Sequence, residues 1–191
     1  IIKTAVEVGI RPGLTLLANE AFADSPPALR ADWTAGHDGY HHEPGGHYHV
    51  EICPSKPKGL DLILKYRRAM FDAFADLDIG YVMIWPYDQG GCTCRACTPW
   101  GSNGFLRTAR PVAALARRMF PEVKVVLSTW YFDHFVDGEW DGLDRAFKQD
   151  KPAWVDYLLA DDYGDRFPKY PLKHGVPGGL PMIGFPEISM Y

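Results

Sequence analysis

Gly80-Tyr81-Val82-Met83-Ile84-Trp85-Pro86-Tyr87-Asp88-Gln89-Gly90-Gly91-Cys92-Thr93-Cys94-Arg95-Ala96-Cys97 is the stretch on which the reading of this chain turns. Tyr81 to Trp85 is an unbroken apolar run. A strand with one wet face would alternate apolar and polar residues. An unbroken run belongs to a strand covered on both faces, as in a parallel sheet flanked by helices. Gly80 resets the chain before the run and Pro86 follows it. The polar residues then begin at once with Tyr87, Asp88 and Gln89.

Outward from this strand the same unit repeats. Before it, Pro57 opens a helix whose Leu60, Ile63, Tyr66, Met70, Phe74 and Leu77 recur at three- and four-residue spacing, one buried face. After it, Phe105, Ala109, Val112, Ala116 and Met119 make a second stripe, with Pro111 expected to kink or interrupt it. Residues 123–130 read as a strand rich in β-branched residues. Leu143, Ala146 and Phe147 read as a short helix, and residues 155–160 as a strand. Residues 180–185 read as another, weakened by Pro181 and Gly184. Towards the start, residues 1–9 look like a helix tail closed by Gly9. Leu14, Leu16 and Leu17 form a short strand ending at Asn19 and Glu20. Residues 23–46 are a loop rich in Pro, Gly, Asp and His, and residues 48–53 read as the next strand.

Alternating strands and helices predict βαβ units and a parallel sheet, with right-handed crossovers placing successive strands side by side. About six strands are read, and no Gly-rich nucleotide fingerprint. An eight-stranded barrel typically takes ~250 residues; the chain has 191. The expected fold is therefore α/β, a partial (β/α)8 TIM barrel truncated at both ends, with residues 1–191 one catalytic barrel fragment. An open doubly wound sheet is the alternative. Both ends read as cuts, because the chain starts on Ile1 and stops at Tyr191 without a closing helix. Open sheet edges then predict that the isolated chain associates or expresses poorly. The formal net charge of -4 points away from a nucleic-acid partner. No apolar run approaches the ~20 residues of a membrane-spanning helix, and no targeting signal indicates a compartment.

In a barrel, functional side chains sit at the carboxyl ends of the strands. Here those ends carry Asn19 and Glu20, Glu51 and Cys53, Asp88 and Gln89, Asp133 and His134, Asp161 and Asp162, and Glu187. A solvated carboxylate is the ordinary reading of any one. Recurrence at six ends points to a shared mouth, where neighbouring carboxylates raise each other's pKa and make one of them an acid at neutral pH. Glu187, after Phe185-Pro186, is the first candidate proton donor. Asp161 and Asp162 are the second; adjacent strand residues point to opposite sides, so one of the two faces the pocket. Trp85, Tyr87, Trp100, Trp130 and Tyr131, with Trp33, are candidate sugar-stacking surfaces, although cores use aromatics as well. Asn19, Gln89 and His47 are candidate polar contacts to substrate.

Cys92, Cys94 and Cys97 are close enough in sequence to share a metal. Cys53, at the end of what reads as the neighbouring strand, would complete four thiolates around a tetrahedral structural zinc. Packed thiols, or a disulfide in an exported protein, are the alternatives. Four thiolates leave no open position for catalysis, so no cofactor is expected for the reaction itself. Gly90 and Gly91 would let the backbone turn tightly or approach a ligand.

The segment Trp85 to Gly101 resembles a strand-end run of bacterial sugar-cleaving barrels of the endo-β-N-acetylglucosaminidase-like kind, Pro-x-Asp-x-Gly-Gly-Cys-x-Cys-x-x-Cys. Tyr87 stands where that group usually has Asn. The resemblance implies a glycoside hydrolase fold, a carbohydrate substrate and an active-site role for Asp88. Hexosaminidases with substrate-assisted chemistry are similar in pairing acids at a strand end, one orienting the acetamide and the next donating the proton; Asp161-Asp162 fits that pattern. Two rival readings stand beside it. One is a metal-dependent barrel hydrolase or isomerase using His37, His41, His42, His47 and His49. The other is a non-catalytic carbohydrate-binding barrel.

Overall fold

The computed structural model of the chain describes residues 2–21, 24–32, 50–86, 91–133, 136–160 and 168–184. The apolar runs become strands and the three-to-four stripes become helices, in the order α1 (Ile2–Glu7), β1 (Gly13–Leu17), β2 (Glu20–Ala21), β3 (Val50–Glu51), α2 (Gly59–Asp72), β4 (Tyr81–Trp85), α3 (Gly104–Met119), β5 (Lys124–Ser128), α4 (Glu139–Gln149), β6 (Tyr157–Ala160), α5 (Lys169–His174) and β7 (Met182–Gly184).

β1, β4, β5, β6 and β7 form one parallel sheet in that order. The order follows the chain and never reverses. A doubly wound sheet reverses at a switch point and puts helices on both faces. A sheet wound in one direction by right-handed crossovers keeps its helices on one face, which is consistent with a partial barrel. Leu14, Val82 and Val125 lie in one row, and Leu16, Ile84, Leu127 and Leu158 in the next. All are buried with Ile63, Phe71, Phe105, Ala109, Val112 and Leu143 in a single apolar core. Each fully buried Leu, Ile or Phe there contributes roughly 1.5–3 kcal/mol. The other face carries Thr15, Met83, Val126, Ser128, Leu159 and Ile183 in alternate register; Val126, Ser128 and Leu159 are buried and Ile183 is 41% exposed.

Several expectations change. Among the described residues the parallel sheet has five strands, not six. The strand read over residues 48–53 is instead Val50–Glu51, paired antiparallel with β2 in a two-stranded side ribbon. Glu51 and Cys53 are thus not at the carboxyl end of a strand of the parallel sheet. They belong to the long excursion between β1 and α2. Pro111 does not interrupt α3, which runs on through it; eight buried residues of that helix hold it to the core, against roughly 3 kcal/mol for an interior proline. Phe74 and Leu77 fall beyond the end of α2 and still pack on the core. The buried face of α2 instead includes Arg67. α5 has no counterpart in the periodicity.

Candidate functional site

The excursion after β1 folds back on itself. Asn19 Nδ2 donates to the Ile52 carbonyl at 3.1 Å, and the Ile52 N–H returns to the Asn19 carbonyl at 2.9 Å. The Ala31 N–H reaches Glu51 O, and the Cys53 N–H reaches Leu29 O, each at 2.9 Å. Below them the buried Arg67 guanidinium donates to the Leu17 and Glu20 carbonyls. Burial pulls Arg67 down to about 10, with the Glu20 charge opposing, so it stays a cation at neutral pH. These bonds hold Cys53 over the carboxyl end of the sheet, beside the loop that leaves β4.

That loop is built round Trp100. Its indole N–H donates to the Pro86 carbonyl at 2.8 Å, and the side chain is 3% exposed. A Cβ on Gly91 would stand 2.0 Å from the ring, and one on Gly104 2.2 Å. Gly91 therefore permits the approach of Trp100, and the ring fills the interior instead of offering a face to a sugar. The neighbouring loop is joined on by Glu139, whose Oε1 accepts from the Gly101 N–H at 3.1 Å and Oε2 from the Asp133 N–H at 3.2 Å. Asp133 Oδ1 accepts in return from the Glu139 N–H at 2.7 Å. Burial raises the Asp133 carboxyl, against the pull of the Glu139, Trp140 and Gly138 backbone donors. Glu139 was not visible as a site residue in the sequence; the only signal was a carboxylate at a helix start, a common capping position.

Cys53, Cys92, Cys94 and Cys97 meet where these segments join. Their four sulfurs lie within 4.8 Å of one another. Cys53 Sγ is 3.7 Å from Cys94 Sγ and 3.8 Å from Cys97 Sγ. A tetrahedron with Zn–S bonds of about 2.3 Å has S···S edges of about 3.8 Å. No pair is bonded as a disulfide. Burial first, then the Cys92 and Cys94 sulfurs, push the Cys53 thiol up to about 11, against a Ser55 backbone hydrogen bond. The Cys97 contact and burial raise Cys92 further. The neutral forms of Cys53 and Cys92 are thus favoured, and an ion bound there would displace their protons. The donor set is all sulfur, closed and mostly buried, so it suits a soft ion held for structure.

Around the sulfurs stand polar groups. The Asp32 N–H donates to Cys92 Sγ at 3.4 Å, while Asp32 O accepts the Thr93 N–H at 2.8 Å and the Thr93 hydroxyl at 2.9 Å. Ser55 Oγ is 3.0 Å from Cys97 Sγ and accepts from Arg107 Nη1 at 2.9 Å. Lys56 Nζ donates to Arg30 O at 2.6 Å and Asp32 Oδ1 at 3.1 Å. Partial burial would lower the Lys56 ammonium; Asp32, with the Cys53 and Cys92 sulfurs, outweighs it and raises it.

On the next strands, Trp85 and Trp130 rings lie 6.1 Å apart, and Trp130 and Tyr131 4.5 Å apart edge to face. Trp85 and Tyr131 keep part of their surface; Trp130, 7% exposed, backs them. Tyr131 and Asp133 both have left-handed backbones, φ 56° and 60°, an unusual conformation for non-glycine residues that costs of order 1–3 kcal/mol each. Asn19 is 1% exposed and spent on the Ile52 carbonyl, so it braces the loop. Tyr87, Asp88, Gln89, His47, His134, Asp161, Asp162 and Glu187 lie outside the described residues, as do Trp33 and the histidines at 37, 41, 42 and 49. No described helix is long and apolar enough to cross a membrane.

No family model matches the chain, and no curated protein matches it. Among solved structures, the chain is similar to the GH36 α-galactosidase AgaA of Geobacillus stearothermophilus. A variant in complex with 1-deoxygalactonojirimycin aligns at 13% identity and TM-score 0.41. Variants in complex with raffinose and with stachyose align at 14% identity, with TM-scores 0.41 and 0.40. Each alignment covers 66% of this chain and 18% of that one; this chain spans less than a fifth of the solved chains.

Proposed function

We propose that this chain is part of a (β/α)8-barrel glycoside hydrolase, hexosaminidase-like in substrate, with a structural zinc at its rim. The observation that carries the reading is the chain-ordered parallel sheet, which sets the ends of β4 and β5 side by side with Trp85, Trp130 and Tyr131 gathered there. Partly open aromatic faces beside strand ends suit the apolar faces of sugar rings. The candidate acids follow the same ends in the chain: Asp88 comes three residues after β4, Asp161 directly after β6, and Glu187 three residues after β7. In this reading Glu187, or one of Asp161 and Asp162, protonates the leaving oxygen. Where the acid is one of the Asp161-Asp162 pair, the other orients the substrate acetamide; Asp88 holds a sugar hydroxyl. Tyr87, Gln89 and His47 add polar contacts. No cofactor enters the reaction.

Cys53, Cys92, Cys94 and Cys97 would hold the zinc, whose contribution is to cross-link the loops that follow β1 and β4. The chemistry of the donor set supports this, since four thiolates suit zinc and leave it no open position.

The test is turnover of chromogenic N-acetylhexosaminides and related glycosides by the full-length protein. Glu187→Gln or Asp162→Asn should abolish cleavage while the circular dichroism spectrum is retained. Unchanged turnover in both variants rejects the acid assignment, and glycan binding without turnover of any substrate by the wild type replaces it with a binding role.

A further inference from the structure

We infer that Ser55 and Arg107 are positioning residues for the ion at the four cysteines, forming a relay that delivers one hydrogen bond to the Cys97 sulfur. The inference rests on the zinc reading above and extends it to side chains that no ligand motif includes. Arg107 Nη1 donates to Ser55 Oγ at 2.9 Å. A guanidinium has no acceptor, so the direction of that bond is settled. The Ser55 hydroxyl proton is then free for its other neighbour, Cys97 Sγ at 3.0 Å. A metal-bound thiolate only accepts, so once an ion is bound the proton has one place to point.

The charge balance runs the same way. A divalent ion in four thiolates carries a net charge of minus two. Arg107, from α3, brings one positive charge to it through Ser55. Lys56 lies on the other flank, though its ammonium is shared with Asp32 at 3.1 Å. The Asp32 N–H supplies a second hydrogen bond, to Cys92 Sγ. Three of these four groups sit within three residues of Cys53 or on the segment it pairs with; only Arg107 comes from a sheet-covering helix. The relay therefore also ties the rim site to the core of the fold. Partners of this kind typically change metal affinity by about 10- to 100-fold.

The experiment uses the full chain loaded with cobalt(II) as a spectroscopic probe and with zinc in competition with a chromogenic chelator. Ser55→Ala and Arg107→Ala should each weaken zinc by about 10- to 100-fold and move the thiolate-to-cobalt band to longer wavelength. A sulfur deprived of its hydrogen bond is the better electron donor. Ser55→Thr should restore both readouts. A merely structural tie would lower the metal-free melting temperature and leave the band where it was. If Ser55→Ala and Arg107→Ala bind as tightly as wild type with an unmoved band, the relay is overturned and the four-cysteine site stands. If wild type takes up neither cobalt nor zinc, the zinc reading falls first and takes the relay with it.

Discussion

Gly91→Ala is the sharpest single perturbation of the rim. The new methyl would stand 2.0 Å from Cδ2 of Trp100 and 2.4 Å from Cε2 and Cγ. Ordinary carbon–carbon contact is about 3.5–4.0 Å, so ring or loop must yield by about 1.5 Å. The ring has little room, because Gly104 lies so close that a Cβ there would stand 2.2 Å from Cε3 and Cζ3, and Pro86 O holds its N–H. Expelling the indole outright would cost about as much as deleting it, roughly 3–5 kcal/mol. Shifting the loop costs less, roughly 1–3 kcal/mol for overpacking, plus about 1 kcal/mol if the Pro86 bond breaks. The cheaper route decides, giving about 2–4 kcal/mol. At about 2–4 °C per kcal/mol for a chain of this size, the melting temperature should fall by about 4–16 °C in metal-free protein. Trp100→Ala removes the ring that the methyl meets. The double variant should therefore be less destabilised than the sum of the singles. Urea denaturation of all four proteins measures the coupling. A Gly91→Ala stability within about 0.5 kcal/mol of wild type, or strict additivity with Trp100→Ala, would refute the packing argument.

Other perturbations test the remaining parts. Cys97→Ser should abolish tight zinc binding, and chelation should lower wild-type stability by about 2.7 kcal/mol relative to zinc at 100 times its dissociation constant; equal melting curves with and without chelator would count against a structural ion. Asn19→Ala leaves the buried Ile52 carbonyl without its side-chain donor and should cost about 1–3 kcal/mol, with zinc held more weakly because Cys53 is the next residue; a neutral urea midpoint would show that the excursion is held by other bonds. Asp133→Asn keeps an oxygen for the Glu139 N–H but removes a charge that burial disfavours. The native carboxyl's folded pKa is raised above its unfolded value. Its ionisation thus costs the folded state nothing below the unfolded pKa and its full amount above the folded one. The variant should gain on wild type as pH rises through that window, and a stability difference flat from acid to neutral pH would contradict the burial.

Short-range pattern was enough for the layers of this protein. The apolar run at Tyr81–Trp85 and the stripes around Ile63 and Val112 set strand and helix through local periodicity, because each residue's facing depends only on its neighbours in sequence. The clustering of Cys92, Cys94 and Cys97 was visible for the same reason. Cys53 was expected beside them and does join them; only the route by which it arrives was decided by tertiary structure. It arrives from an antiparallel excursion pinned by Asn19 and Arg67, not from the end of a neighbouring sheet strand, and bonds spanning more than thirty residues leave no periodic trace. Tertiary structure also decided that Trp100 is a packing residue, that Arg67 lies inside an apolar stripe, and that Glu139 joins two loops. In each case the side chain's role depends on which backbone it meets, and that is fixed only when distant segments close on one another.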